Sequence, residues 1–207
     1  MKIAALLLVS LWALTVHAQT GGVTTVTERG VVSVSLPVSY LESRLLNSDG
    51  SFASYKGYQW GIGIDIQVWR SATSEFRLFG SYLVGEAKGD PSSNIFKRDE
   101  TFFGLKVLPN PHVFLAAGMG RMTNKVSGST ASEVTLTSPI SGFGAGFEIP
   151  MNESWYWALG AWYKSGPIKQ GDNSGISHNS FVDGAELQFQ LIWSPPATTM
   201  NFNRGSR

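Results

Sequence analysis

Cysteine is missing from all 207 residues, which removes disulfides, zinc-thiolate sites and thiol catalysis from consideration. Charge is scarce as well: Asp, Glu, Lys and Arg make up 15% of the chain and leave a formal net charge of +1. A duplex binder needs a concentrated basic face to displace counterions, and no such patch is present, so no nucleic-acid partner is expected. Only three histidines occur, at His17, His112 and His178, which gives no metal-ligand cluster and no expectation of a metal or other cofactor. Long apolar runs are absent after the first segment, so no membrane helix is predicted there. What remains is rich in glycine, with 23 residues, and in aromatics, at 12%.

The N-terminal segment is a separate unit. Lys2 precedes a short apolar run, Ile3 to Leu14, broken by Ser10, and Val16-His17-Ala18 ends on a small residue. The run is well short of the ~20 residues that span a bilayer, so 1–18 reads as a cleavable export signal cut after Ala18. Residues 19–30, rich in Thr and Gly, read as a flexible lead-in.

From Val31 to Trp193 the sequence has a period of two, which is the spacing of a strand with one apolar face. Val32, Val34, Leu36, Val38 and Tyr40 alternate with Ser33, Ser35, Pro37 and Ser39. Tyr58, Trp60, Ile62, Ile64, Ile66 and Val68 alternate with Gln59, Gly61, Gly63, Asp65 and Gln67. Six further runs follow, marked by Phe76 to Val84, Thr101 to Val107, Val113 to Met119, Phe143 to Ile149, Trp155 to Tyr163 and Ala185 to Trp193. In the sixth, Pro139 and a change of parity before Phe143 predict a bulge or slip. Short connections at Arg70 to Glu75, Pro109 to Pro111 and Pro150 to Glu153 alternate with long polar ones at 41–56, 85–98, 123–133 and 164–181. Strict alternation of short and long connections is the pattern of outer-membrane barrels with short periplasmic turns and long outer loops.

Aromatic placement gives two belts. Tyr40, Tyr58, Tyr82 and Tyr163 fall beside the long connections, while Phe76, Trp155 and Trp193 fall beside the short ones or the last strand's end. The opposite strand face holds mostly Ser, Gly and Gln, too sparsely charged for a water-facing exterior, so the apolar face is predicted to point outward. A soluble lipocalin-like carrier would reverse that orientation. Charged residues on the polar face, Asp65, Arg77, Lys106, Glu148 and Glu186, are expected to form a luminal ion network.

The chain resembles the small outer-membrane barrels of the OmpA transmembrane-domain and OmpX type. The resemblance covers Val31 to Trp193 and rests on the export signal, the eight alternating runs, the turn asymmetry and the last strand, Gly184 to Trp193, which is similar to that family's assembly signal. It departs from the family where 194–207 continue beyond the terminal aromatic, a segment read as a disordered periplasmic tail. The resemblance implies an all-β, eight-stranded, up-and-down transmembrane barrel in a Gram-negative outer membrane. It also implies a lumen filled by side chains and a structural or surface-interaction role. Expected partners are the barrel-assembly machinery, outer-membrane lipids and lipopolysaccharide, with an extracellular partner at loops 41–56 and 164–181. Lys56, Lys97, Arg98, Lys164 and Lys169 are the cations expected near lipid phosphates at the outer rim.

The alternative is a lipid A-modifying enzyme. His178-Asn179-Ser180 with Glu186 is similar to the His-x-Ser pair and Glu of the lipid A deacylases, where Ser attacks, His takes its proton and Glu orients the His. Phe181 stands where that family has Asn, the spacing from Ser180 to Glu186 is shorter, and strand parity turns His178 and Ser180 toward the lumen. The expectation is therefore no catalytic residue.

Overall fold

The structure is a computed structural model that describes residues 30–46, 52–71, 73–90, 95–127, 134–170 and 181–195. The expected export signal, nearly all of the lead-in, His178, Ser180 and the tail beyond Pro195 lie outside the described residues.

Eight antiparallel strands form the wall: β1 (Val32–Leu46), β2 (Phe52–Arg70), β3 (Glu75–Asp90), β4 (Ile95–Asn110), β5 (Val113–Ser127), β6 (Val134–Pro150), β7 (Trp155–Pro167) and β8 (Phe181–Trp193). Each pairs with its sequence neighbours, and β8 pairs with β1 to close the sheet. A two-residue segment, Lys169–Gln170, continues β7 against β6. Stepping from partner to partner, the path runs Val34, Ile64, Gly80, Phe103, Met119, Ser141, Ser165, Asp183 and returns to β1 at Arg44, ten residues from its start. At ~3.3 Å per residue and ~4.8 Å between strands, that stagger tilts the strands by roughly 40°.

The chain is an all-β, up-and-down barrel, and its apolar strand face points out. Tyr58 is 68% exposed, Trp60 64% and Ile62 59%, and the apolar alternation of every other strand faces the same way. An apolar exterior on this scale is a surface for lipid, far larger than the patches soluble monomers expose. On β2 it extends from Tyr58 to Val68, about the length that crosses a bilayer when tilted. The reversed orientation of a lipocalin-like carrier is thereby overturned.

Three tight turns share one construction, in which a side-chain oxygen caps the next free N–H groups. Asn110 Oδ1 accepts from the N–H of His112 and Val113, both at 2.9 Å. Asn152 Oδ1 accepts from Ser154 and Trp155 at 2.9 Å, and Ser71 Oγ accepts from Ser74 at 3.0 Å.

Two expectations need correction. The strands do not end at the outer tyrosines: β1 runs on to Leu46, β2 starts at Phe52, β3 ends at Asp90 and β4 starts at Ile95. Of the expected long loops at 41–56 and 164–181, residues 41–46, 52–56, 164–167 and Phe181 therefore belong to the strands of the wall. The cause is an inversion of pattern. Above Tyr40, Leu41 and Ser43 point in while Glu42 and Arg44 point out, and Tyr55 and Phe96 point in beside outward Lys56 and Lys97. Once the wall leaves lipid, it adopts the ordinary apolar-in arrangement.

The same inversion accounts for β6, which has no slip. Its pairing with β5 is unbroken from Val113–Phe147 to Val126–Val134, and Leu136 and Ile140 simply face inward. Pro139 falls where the β6–β7 ladder pauses, between Ser141–Ser165 and Thr137–Lys169. In that register Pro139 stands opposite Pro167, and neither has an N–H to give. Register shifts do occur between Gln67 and Trp69 and between Val107 and Asn110.

Replacing Ile62 by Arg puts a charge on the lipid face near mid-membrane, and the expected cost is about 2–4 kcal/mol. Urea titration of the barrel folded into vesicles measures it; a change within error would mean that this face does not meet lipid.

Candidate functional site

Small residues line the lumen beside the large ones, whose rings lie flat over the neighbouring strands. The Phe114 ring lies against the inward faces of Gly146 and Gly160, and the Trp162 ring against Gly144. A Cβ at any of these glycines would collide with the ring. With that space, Phe79, Phe102 and Trp162 meet at centroid distances of 5.6–5.9 Å, and Phe114 joins Trp162 at 6.4 Å. This aromatic layer separates two ion clusters.

Toward the outer end, Lys164 on β7 reaches Glu100 on β4 and lies 2.9 Å from Glu186 Oε2 on β8. Arg98 Nη2 is 3.4 Å from Glu100 Oε2 and 3.9 Å from Glu186 Oε1. These four buried side chains balance in charge, two cations against two carboxylates. Toward the other end, Lys106 on β4 bridges Asp65 on β2 at 2.5 Å and Glu148 on β6 at 3.2 Å. The two ammonium groups also face the aromatic layer from opposite sides. Lys164 Nζ is 5.0 Å from the Phe102 centroid and Lys106 Nζ is 5.4 Å from that of Phe114, within cation–π range.

At the short-turn end Arg77, with no exposed surface, ties the floor. It pairs with Glu75, donates to Ser33 Oγ at 3.0 Å and donates to the Gly30 carbonyl at 2.9 Å. Gly30 N–H in turn donates to Ser194 Oγ, and Ser194 N–H to the Ser154 carbonyl. Both ends of the barrel chain are thus fastened at one point. At the outer end Leu41, Tyr55, Ala87 and Phe96 form an apolar cap, with the Tyr55 and Phe96 rings 3.9 Å apart. A cavity lined by Ser35, Asp65, Ser81, Lys106 and Gln188 has room for only one or two water molecules.

All five side chains expected in a luminal network, Asp65, Arg77, Lys106, Glu148 and Glu186, are buried there, but in three separate groups. Sequence reasoning missed Glu75, Arg98, Glu100 and Lys164. Arg98 and Lys164 were expected at the outer rim facing lipid phosphates; they point into the lumen, because the strands continue past the tyrosines and carry the inward parity with them. The alternation itself holds the signal: Arg98, Glu100 and Lys106 share one parity on β4. Glu186 is held by Lys164 and stands near Arg98. Of the catalytic candidates it is the described member, and it has the surroundings of a structural ion pair.

Tyr40, Tyr58, Tyr82, Tyr163, Phe76, Trp155 and Trp193 all face outward. Tyr40 stands opposite Tyr58 with ring centroids 5.3 Å apart, and Trp155 stands opposite Trp193. Beyond the tyrosines the exterior is charged: Glu42, Arg44, Lys56, Glu86, Lys88, Lys97, Asp99, Arg121, Lys125 and Asp183 all lie there. Arg44 binds Asp183 through two hydrogen bonds of 3.2 and 3.0 Å, and Lys56 is 4.0 Å from Glu42.

No protein-family profile matches the chain, and no curated protein matches it in sequence. Among solved structures it is similar to Ail, the attachment invasion locus protein of Yersinia pestis, at 16% identity and a TM-score of 0.50 over 80% of this chain and 99% of that one. It is similar to neisserial surface protein A at 16% identity and a TM-score of 0.50, covering 77% and 96%. The outer membrane protein AlkL, determined in lipid bilayers, matches at 12% identity and a TM-score of 0.53 over 87% and 97%. At such identities the likeness is one of fold, and the fold is that of the small outer-membrane barrels.

Replacing Lys164 by Met would leave Glu100 and Glu186 facing one another with only Arg98 to offset them. The expected loss is about 3–5 kcal/mol of stability, the usual consequence of stranding a buried charge. Adding Glu100→Gln should restore a large part of it, read from the urea midpoints of the single and double variants. Equal midpoints for wild type and Lys164→Met would show that this cluster carries no weight.

Proposed function

We propose that the mature chain resides in a Gram-negative outer membrane as a closed barrel and works as a surface-interaction protein, contacting partners at the outer rim rather than passing solutes. The observation that supports this reading best is the abrupt change of exterior chemistry at the tyrosine belt. Below it the wall is apolar for about the thickness of a bilayer; above it the same strands continue with a charged exterior and an apolar core. A wall that is inside-out only over that length is suited to a protein half in lipid and half in water.

The lumen supports the second half of the reading. Its ion clusters, aromatic layer and apolar cap fill the barrel with side chains, and the cavity beside Lys106 has room for only one or two water molecules. The rigid wall then serves to hold the outer connections at fixed spacing, and contact with partners belongs to loops placed by such a scaffold. The collar of extended strands supplies the remaining contact surface.

Cell fractionation of the full precursor, followed by gel mobility with and without boiling, tests the location and the closed barrel. The expected result is a detergent-extracted band that shifts on heating; a freely soluble periplasmic protein would discard the proposal. In planar bilayers the purified barrel should show no steady conductance, and a stable open channel would overturn the closed-lumen part.

A further inference from the structure

On the outer wall of β3 to β5 the side chains stack in vertical columns. One strand across is ~4.8 Å and two residues along is ~6.6 Å, so the combined step lies at about 36° to the strand. With strands tilted by roughly 40°, that step runs almost along the membrane normal. Taken inward through the register, it sets Thr123 above Thr101 and Thr101 above Gly80. The column on one side holds Thr137, Arg121, Phe103 and Leu78, and the column on the other holds Lys125, Asp99, Tyr82 and Ile64. All of them face outward.

The middle column is a groove. Gly80 has no side chain, and a Cβ placed there would meet only a methyl of Ile64, at 3.9 Å. Phe103, Leu78, Tyr82 and Ile64 rise exposed on its two banks. At its outer end Arg121 stands on one bank and Asp99 on the other, about 8 Å apart around the wall and within about 2 Å of the same height. Both are exposed, and neither makes a hydrogen bond or ion pair among the described residues. In register Arg121 is flanked by Thr101 and Pro139, and Asp99 by Val84 and Thr123, none of them charged.

This stretch of wall also lacks the anchors found elsewhere. Aromatic side chains at a membrane interface sit among lipid headgroups. On β4 and β5 the outward positions at the two interfaces are instead Thr101 and Arg121 on the outer side and Val107 and Leu115 on the inner side.

Half a turn about the middle column carries each bank onto the other. Arg121 then faces Asp99 of a second copy, Phe103 faces Tyr82, Leu78 faces Ile64 and Thr137 faces Lys125, so no like charges meet. A patch that complements itself under half a turn is the mark of an isologous two-fold contact. Two copies inserted in the same direction have their two-fold axis along the membrane normal, which is the direction of the groove. Within lipid, association depends on close approach over small residues and on polar contacts, and Gly80 and Thr101 lie where the two walls would come nearest.

We infer that the β3–β5 wall is a self-association face, on which a second copy of this chain docks about the Thr123–Thr101–Gly80 column. The inference rests on the membrane location proposed above. Two symmetric Arg121–Asp99 pairs close the outer end of the contact, and Phe103 packs against Tyr82 beneath each of them.

The test uses the whole mature protein folded into phosphatidylcholine vesicles at a large lipid excess. The chain has no cysteine, so one introduced thiol reports one position. Under mild oxidation Thr101→Cys, on the axis, should give a disulfide-linked dimer on a non-reducing gel. Ala185→Cys, exposed at similar height on the opposite wall, should give roughly a tenth of that yield or less. In the Thr101→Cys background, Arg121→Asp sets like charges across the axis and should lower the yield roughly fivefold. Adding Asp99→Arg reverses both charges and should restore it, while Gly80→Leu fills the groove and should lower it again.

Equal yields at Thr101→Cys and Ala185→Cys would overturn the inference, since they would report chance collision. A charge-reversed double variant no better than Arg121→Asp alone, or a Gly80→Leu variant that cross-links fully, would overturn it as well. Heat-shifted gel mobility is followed in every sample, so a variant counts only when its barrel is folded. A heat-shifted protein that does not cross-link refutes the self-association face alone, whereas a protein that never inserts refutes the membrane reading on which it rests.

Discussion

Inside hydrocarbon no water is present to satisfy a backbone N–H or C=O, so each strand must find its partners in the two beside it, and the last must return to the first. The rest of this structure follows from that closure. Eight strands with a stagger of ten residues give a ring too narrow for a solvent channel, so its interior has to be filled by its own side chains. Laying Phe114 and Trp162 across a narrow tube requires glycine on the strands beside them, which accounts for Gly144 and Gly146 in β6 and for Gly160 in β7. The ladder pauses where a proline has no N–H to give: where Pro139 faces Pro167, above the tyrosine belt, and at Leu36 and Pro37 between the pairs Ser35–Gly63 and Val38–Trp60.

Where lipid surrounds the wall, the strands were legible in the sequence. A period of two with Val, Ile and Trp on one parity fits a half-apolar strand and does not fit a helix, and the eight runs between Val32 and Trp193 are the eight strands observed. The same rule failed above the tyrosines. There Leu41, Tyr55, Ala87 and Phe96 turn inward and Glu42, Lys56, Lys88 and Lys97 turn outward, so apolar residues switch parity without any change of backbone. Reading apolar as outward makes such a stretch look like a loop or, in β6, like a slip. The luminal charges Arg98, Glu100 and Lys164 were lost for the same reason, since recognising them requires knowing that the strand continues. The pairing of Lys106 with both Asp65 and Glu148 was not legible either, because it joins alternate strands across the lumen and depends on shear, which sequence spacing does not encode.

Luminal charge raises a question of its own, because buried ion pairs are costly to desolvate and often no more stable than apolar residues of equal volume. In a soluble barrel the contrast between an apolar core and a polar surface fixes which parity faces inward. In lipid that contrast must be supplied from the inside, since an apolar lumen would let a one-residue slip exchange the two faces at little cost. Asp65, Lys106 and Glu148 tie β2, β4 and β6 at one level, and Glu100, Lys164 and Glu186 tie β4, β7 and β8 at another. A slip of any of these strands would carry a charge into hydrocarbon and strand its partners in the lumen. The two clusters therefore act on register, and through register on the stagger that closes the ring. On this argument the ions matter less for the depth of the folded state than for making it the sole arrangement in which both the backbone and the charges are satisfied.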